Sequence, residues 1–420
     1  MNESKLNFSI YFIFSIIIVS LFLYYNLIYF YIDPIIYENQ IITFGDWRLI
    51  PDSIICKSNG FNVFLENQCD VSGRSYPYGK ILLYLPFEEN FYFFYTFILP
   101  IFLVFIFIYI IHFLLDVYNS KKFILSLLII FSVPSMLLIE RANLEILIFI
   151  LIFFISLINK DSILHVLICL VTHIKFYPAV SSVIFFISDQ KAKLIKNIVI
   201  SFLLVASVIF FNFEELKMIF GRKDIINPNT IENSGIIIYS FYALADLIVV
   251  SIDELYSVNL HKLKYFIYIF QLGFYVFFIN YFIKKLNSKK FLINLTSYSF
   301  ENKLLLISGS LLVTIFFLNW NYSYKEIYFL GLIPFLINNF SIKLCRLFYY
   351  LIFIKFVFGT ILIIVNKVFY ENSLIFKGFN ILFKNLIDNI LVIFLLSIFI
   401  IFLRQINNNL KLYNILQKKN

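Results

Sequence analysis

Glu140, Arg141 and Glu145, three charges in the six residues "ERANLE", sit between two stretches of almost pure hydrocarbon. At the centre of a bilayer each charge would cost about 2.5–3.5 kcal/mol, and three about 8–10 kcal/mol, comparable to the stability of a whole domain. They must therefore face water or a polar cavity. Glu145 opens the second apolar stretch, where the positive end of a helix dipole favours a carboxylate, and Asn143 is placed to cap that helix. A capped helical hairpin with a structural ion pair accounts for these residues as readily as a binding site does. Asp46, between Gly45 and Trp47, and Arg74 share a polar loop upstream. Asp46 reads by composition as an ordinary solvated acid. The forked donors of Arg74 suit an anion, and equally an anchor at lipid headgroups.

Further on, "THIKFYP" sets His173, Lys175 and Pro178 between two apolar half-runs. Proline disfavours helix in the residue before it, so a helix break is expected near His173. A lysine at such a break contacts a substrate or ion, or snorkels to the headgroups. "FLNWNYSYKE" supplies Trp320, which would stack on a sugar or join an interfacial aromatic belt. Lys355 and Asp388 lie inside apolar stretches and either pair with each other or line the same cavity. Cys56 and Cys69 share the first polar loop. A bridge between them is the expectation, closing about fourteen residues and contributing about 3 kcal/mol in an oxidising compartment. Free thiols are the alternative, while a metal site would need more Cys or His neighbours than the loop supplies. Cys169 and Cys345 lie in or beside apolar runs and read as packing residues.

The elements that must position these residues are membrane helices. The chain has 420 residues, 61% hydrophobic and only 14% charged, against roughly a quarter charged in a soluble domain. Mean hydropathy is +0.89. Apolar runs such as 91–115 are long enough to cross about 30 Å of hydrocarbon. They lack the short alternation of a membrane β-barrel. The expected fold is an all-α polytopic protein, a single membrane domain over 1–420, with about twelve spans. These fall near 9–31, 92–115, 122–139, 144–158, 163–174, 176–188, 196–212, 264–283, 303–319, 325–337, 345–365 and 384–403. The first reads as an uncleaved signal anchor. The net charge of +9 is spread through short loops, which argues for topology signals and against a nucleic-acid surface. Those basic loops and the tail 404–420 place both termini in the cytoplasm. Segment 236–252 then reads as an interfacial or re-entrant helix within a long outer segment, 213–263. The first outer loop, 32–90, "ERANLE", "HIKFYP" and "NWNYSYKE" all fall on the outer face, as expected for the lining of one cavity. No Walker loop, dinucleotide fingerprint, HExxH or paired CxxC is present, which removes the basis for ATP-driven transport and hydride transfer.

The first loop, "FGDWRLI…C…NGFNVFLENQCD…GRSYPYGKI", resembles that of a group of bacterial polytopic proteins. Theirs carries F-x-D, a Cys, G-x-D-P-Y…N-P-C-D and then G-R…N-Y-P. "ERANLE" resembles their E-R-G-N-x-D and "HIKFYP" their K-x-x-P. The resemblance covers the first 180 residues, beyond which only hydropathy is alike. "NGFNVFLENQCD" stands where they have Asp-Pro-Tyr, Ala142 where they have Gly, and Glu145 where they have Asp. The group is similar to the GT-C glycosyltransferases, particularly the polyprenol-phosphate-mannose-dependent mannosyltransferase-like branch. This resemblance implies a hexosyltransferase of the bacterial inner membrane, with a polyprenyl-phosphate sugar donor, a lipid or glycan acceptor and surrounding membrane lipids as partners. Asp46 is then the catalytic base. Arg74, Glu140, Arg141, Asn143, Glu145, His173, Lys175 and Trp320 bind or orient substrate. No cofactor is implied, and a divalent metal bridging Asp46 and Glu145 would have no supporting His. The competing expectations are a flippase or transporter of a lipid-linked sugar, a glycan polymerase or ligase, and a scaffold for envelope assembly.

Overall fold

The computed structural model describes residues 3–24, 36–37, 40–41, 44–65, 67–70, 74–187, 191–220, 238–241, 261–287, 291, 295, 297–318, 321–369 and 374–417. It is helical. Among the described residues, strands are limited to two antiparallel pairs of two residues each, Ile36–Tyr37 with Gln40–Ile41 and Ile238–Tyr239 with Asn321–Tyr322. The chain divides into two compact units, the first holding 1–179 and 202–226 and the second 180–201 and 227–420.

The first unit begins with helix α1 (Glu3–Tyr24), which precedes α2 (Gly45–Ser58) in the first polar loop. Then follow α3 (Leu99–Leu115), α4 (Ser120–Ile130), α5 (Val133–Arg141), α6 (Glu145–Leu157) and α7 (Asp161–Ile174). Two 3-10 stretches, Lys80–Tyr84 and Tyr177–Phe186, flank this group. Of α8 (Lys191–Phe211), residues 202–211 belong to this unit, and the short amphipathic α9 (Phe213–Phe220) follows. The second unit is built on α10 (His261–Leu286), α11 (Phe300–Leu318), α12 (Ile333–Asn338), α13 (Lys343–Phe369) and α14 (Leu374–Gln417), with a 3-10 stretch at Ser323–Leu332. Its core includes Phe348 stacked on Phe394 at 3.6 Å. The 3-10 stretch packs so tightly on α11 that a Cβ at Gly331 would lie 2.1 Å from Ser308 Oγ.

Six helices among the described residues are long and apolar enough to cross a membrane: Lys5–Tyr24, Glu89–Leu115, Lys193–Phe211, Lys264–Leu286, Phe300–Leu318 and Phe383–Asn407. The architecture is that of a polytopic helical membrane protein. Expected span 122–139 is two helices, α4 and α5, bent by 60° around Phe131 and Ser132, and counting the pair as one span makes seven. Pro134 in the first turn of α5 cannot donate to the preceding turn, which favours the break there. The apolar segments after 144 are shorter still. α6 has 13 residues and α7 has 14, about 20 Å each, too short to cross the hydrocarbon unaided. Segment 236–252 and the end of the tail lie largely outside the described residues.

Candidate functional site

The polar loop that follows α1 is not structureless. Gly45–Ser58 forms α2, whose buried face includes Asp46, Trp47, Leu49, Ile50, Asp52, Ser53 and Cys56. The chain enters it through Phe44 in a left-handed conformation, φ 60°, and the Phe44 N–H donates to the Glu140 carbonyl at 3.0 Å. That bond seats the first turn of α2 beside the end of α5. In the same turn the Trp47 indole N–H donates to the Tyr95 carbonyl at 2.9 Å, within a π-helical turn at Phe94–Ile98. Cys56 and Cys69 are joined in a disulfide, with Cα atoms 5.6 Å apart.

The α5–α6 hairpin turns through Ala142, at φ 42°. The Ala142 N–H donates to the Ile139 carbonyl and the Asn143 N–H to that of Leu138, the paired bonds of a Schellman ending. Glycine suits such a position best, since a Cβ there costs about 1–2 kcal/mol. Asn143 Oδ1 then accepts from the Glu145 N–H at 3.1 Å, occupying an unpaired donor at the start of α6. The turn thus presents Arg141, Asn143 and Glu145 at one end of the hairpin.

Asp46 meets them there. Its Oδ1 accepts from Arg74 Nη1 at 2.7 Å, its Oδ2 from Asn143 Nδ2 at 2.7 Å, and Arg141 Nη1 stands 3.9 Å from the same Oδ2. The Asp46 side chain is 9% exposed, against 30% for Arg74. Burial works against the Arg74 charge, but hydrogen bonds and charges from Asp70 and Asp46 outweigh it and hold the guanidinium above its ordinary range.

Glu145, fully buried, forms the second half of the site. Lys175 Nζ lies 2.6 Å from its Oε1, and the Tyr177 hydroxyl donates to its Oε2. The α7 helix ends at Ile174 and Lys175 is extended, which frees the lysine to turn inward. Gly79 of "YPYGK" packs against this ending, its N–H donating to the Ile174 carbonyl at 3.0 Å. A Cβ on Gly79 would fall 1.8 Å from the His173 carbonyl oxygen, so only glycine fits. Tyr78 is buried, with Lys175 Nζ 5.2 Å from its ring centre. Burial first, and then the charge of Asp46, push its phenol well above the ordinary range, so it stays neutral.

Asp46, Arg74, Arg141, Asn143, Glu145 and Lys175 therefore come together, although they arise from three separate sequence motifs. Glu140 is buried beside them and contributes its carbonyl to Phe44. His173 differs from expectation. Its ring faces Asn212, whose Nδ2 is 3.4 Å from Nδ1, and Phe211, at 5.4 Å between ring centres. Trp320 lies outside the described residues. Among the described residues no three of His, Cys, Asp and Glu converge as a metal site would require. An apolar cavity of about 170 Å³ adjoins the site, lined in part by Trp47, Ile50, Leu82, Leu99 and Leu144.

Asp52, Asp70, Tyr78 and Tyr177 were not singled out from the sequence. Asp52 accepts from the Tyr92 hydroxyl at 2.8 Å. Burial pushes its carboxyl up to about 6; the Tyr92 bond opposes this, Asp70 adds to it, and Arg48 and Arg74 oppose it. A folded value above the unfolded one of about 3.9 means that the fold prefers protonated Asp52. Its contribution to stability is fully present below about pH 4 and is lost as pH rises through about 6. Asp52→Asn should therefore raise stability by about 2–3 kcal/mol at pH 8 and change little at pH 4. Thermal unfolding of both proteins across pH checks this, and equal midpoints at pH 8 would refute it.

No protein-family model, curated protein or solved structure matches this chain.

Proposed function

We propose that the chain is a GT-C-type membrane glycosyltransferase of the bacterial inner membrane, with about twelve membrane segments and both termini cytoplasmic. It would move a hexose from a polyprenyl-phosphate donor to a lipid or glycan acceptor at the outer face. The observation that carries this reading is the Asp46 carboxylate, held at 2.7 Å by both Arg74 and Asn143 within reach of Arg141. An acid among cations is what an inverting transfer from a phosphate leaving group requires. Asp46 accepts the acceptor hydroxyl's proton as that oxygen bonds to the anomeric carbon and the bond to the lipid phosphate breaks. Each carboxylate oxygen has two lone pairs, so the bonds already made leave room for the hydroxyl. The departing phosphate is stabilised by Arg74, Arg141 and Lys175. Asn143 and Glu145 orient these groups, and the apolar cavity beside Trp47 and Leu144 suits a lipid-linked substrate.

Lipid-linked and surface glycans from cells with and without the gene, compared by mass spectrometry, test the proposal. A glycan that lacks one hexose in the deletion strain and regains it on complementation is the expected result. Identical glycan profiles in the two strains would refute it.

A further inference from the structure

Arg74 is gripped along one edge. Its backbone N–H and its Nε donate to Asp70 Oδ2, at 2.8 and 3.2 Å. Its Nη2 donates to Asp70 Oδ1 at 3.1 Å and to the Gly45 carbonyl at 2.7 Å. The Nη1 arm then points to Asp46. A guanidinium held by its Nε–Nη2 edge has its plane fixed, which a single contact through Nη1 could not do.

Asp70 is in turn attached to the helix that carries Asp46. The Cys56–Cys69 disulfide ties its immediate neighbour to the last turn of α2. The Asp70 N–H donates to the Asn67 carbonyl at 3.2 Å, and Asn67 Nδ2 donates to Ser53 Oγ at 2.9 Å. Asn67 and Ser53 are both fully buried. The anchor for Arg74 and the carboxylate it addresses are thus referenced to one helix, α2, at Cys56 and Ser53 on one side and Asp46 on the other. The Asp70 side chain is only 3% exposed, whereas that of Arg74 is 30% exposed. Asp70 is therefore placed to act through the arginine, which keeps the open face.

We propose that Asp70 is the positioning residue of the site: it holds Arg74 by its Nε–Nη2 edge so that Nη1 stays on Asp46 and the exposed part of the guanidinium meets an anionic group. That the anionic group is the donor phosphate rests on the glycosyltransferase reading; the clamp itself does not. A mere charge partner for Arg74 would leave the Arg74–Asp46 interaction intact when removed. A positioning residue would not.

The test is a three-way thermal-unfolding cycle on the full-length chain in lipid nanodiscs. Arg74→Gln, Asp46→Asn and the double variant are compared in the wild-type and Asp70→Ala backgrounds. With Asp70 present, the two single changes should be non-additive by about 2–4 °C in Tm. In the Asp70→Ala background this coupling should fall to within error, and Asp70→Glu should restore part of it. Should the alanine variant not accumulate, Asp70→Asn serves as the background. Coupling that persists without Asp70 overturns the proposal. Where transferase activity is measurable, Asp70→Ala should lower kcat/KM as Arg74→Gln does, and Asp70→Glu should restore part of it. Absence of any transferase activity would count against the glycosyltransferase reading alone, since the unfolding cycle decides the clamp without it.

Discussion

If the chain is the glycosyltransferase proposed above, Asp46→Asn should abolish nearly all hexosyl transfer, by about 10²–10⁴-fold, in protein that still inserts and binds donor lipid. Asparagine keeps the size of the side chain and one oxygen but cannot take a proton at neutral pH. The substitution also disturbs the site in a definable way. Oδ1 and Oδ2 of Asp46 each accept from a donor, Arg74 Nη1 and Asn143 Nδ2, so an amide nitrogen at either position faces another donor. Asn143 cannot simply flip, because its own oxygen accepts from the Glu145 N–H. Some loss of stability, about 1–3 kcal/mol, is therefore expected, and activity must be expressed per folded molecule. Arg141→Ala and Lys175→Ala should weaken both donor binding and rate, since the phosphate is charged before transfer and more so during it. Glu140→Gln is the comparison that separates a structural role for this buried carboxylate from a catalytic one. A structural role predicts lower stability with specific activity intact. Full activity in well-folded Asp46→Asn protein would remove Asp46 from the chemistry and require another group to take the acceptor's proton.

Much of this site was legible because charges inside an apolar sequence are conspicuous. Each of "ERANLE" and "HIKFYP" carries ionisable residues that hydrocarbon would reject, and both reach the site. The helix break near His173 followed from Pro178. The α2 helix was not legible. "GDWRLIPDSIICKS" contains a glycine, an internal proline and two acids, and its apolar residues are packed against local partners and so lack a clean helical stripe. Asp52 and Asp70 were missed for the same reason: in a polar loop an acid is unremarked until its partner is known. Asp70 acquires meaning only through Arg74, and Asp52 only through Tyr92 across forty residues. Pro178 locates the break without saying which way each side chain leaves it, so the turn of the His173 ring toward Asn212 and Phe211 was not legible. The short segments expected at 144–158 and 163–174 match α6 and α7, whereas the 60° bend between α4 and α5 inside the expected span 122–139 was not legible from hydropathy.

The largest stability effect is expected in the second unit, where Lys355 and Asp388 pair, as one of the two sequence expectations had it. They do not pair alone. Lys355 Nζ also lies 2.9 Å from Glu326 Oε2, and Lys384 Nζ lies 2.8 Å from Glu326 Oε1 and 3.3 Å from Asp388 Oδ2. Two lysines thus each bridge the same two carboxylates, with no net charge. The four side chains are at most 9% exposed. They join α13, α14 and the 3-10 stretch at Ser323–Leu332, and Asn389, one residue beyond Asp388, accepts from Gln271 and Tyr275 of α10. Lys355→Met leaves two buried carboxylates facing one lysine. Breaking such a group by removing one partner costs about 3–5 kcal/mol, a large part of the roughly 5–15 kcal/mol that holds a domain folded. Accumulation and Tm should both fall steeply. Lys355→Met with Asp388→Leu removes one charge of each sign and leaves Lys384 paired with Glu326. The double variant should therefore recover most of the lost stability, because the penalty lies in the unpaired charge and not in the absence of the pair. Thermal unfolding of the single and double variants in one detergent checks this. A double variant as unstable as Lys355→Met would mean that the lysine's packing, and not its charge balance, holds these helices together.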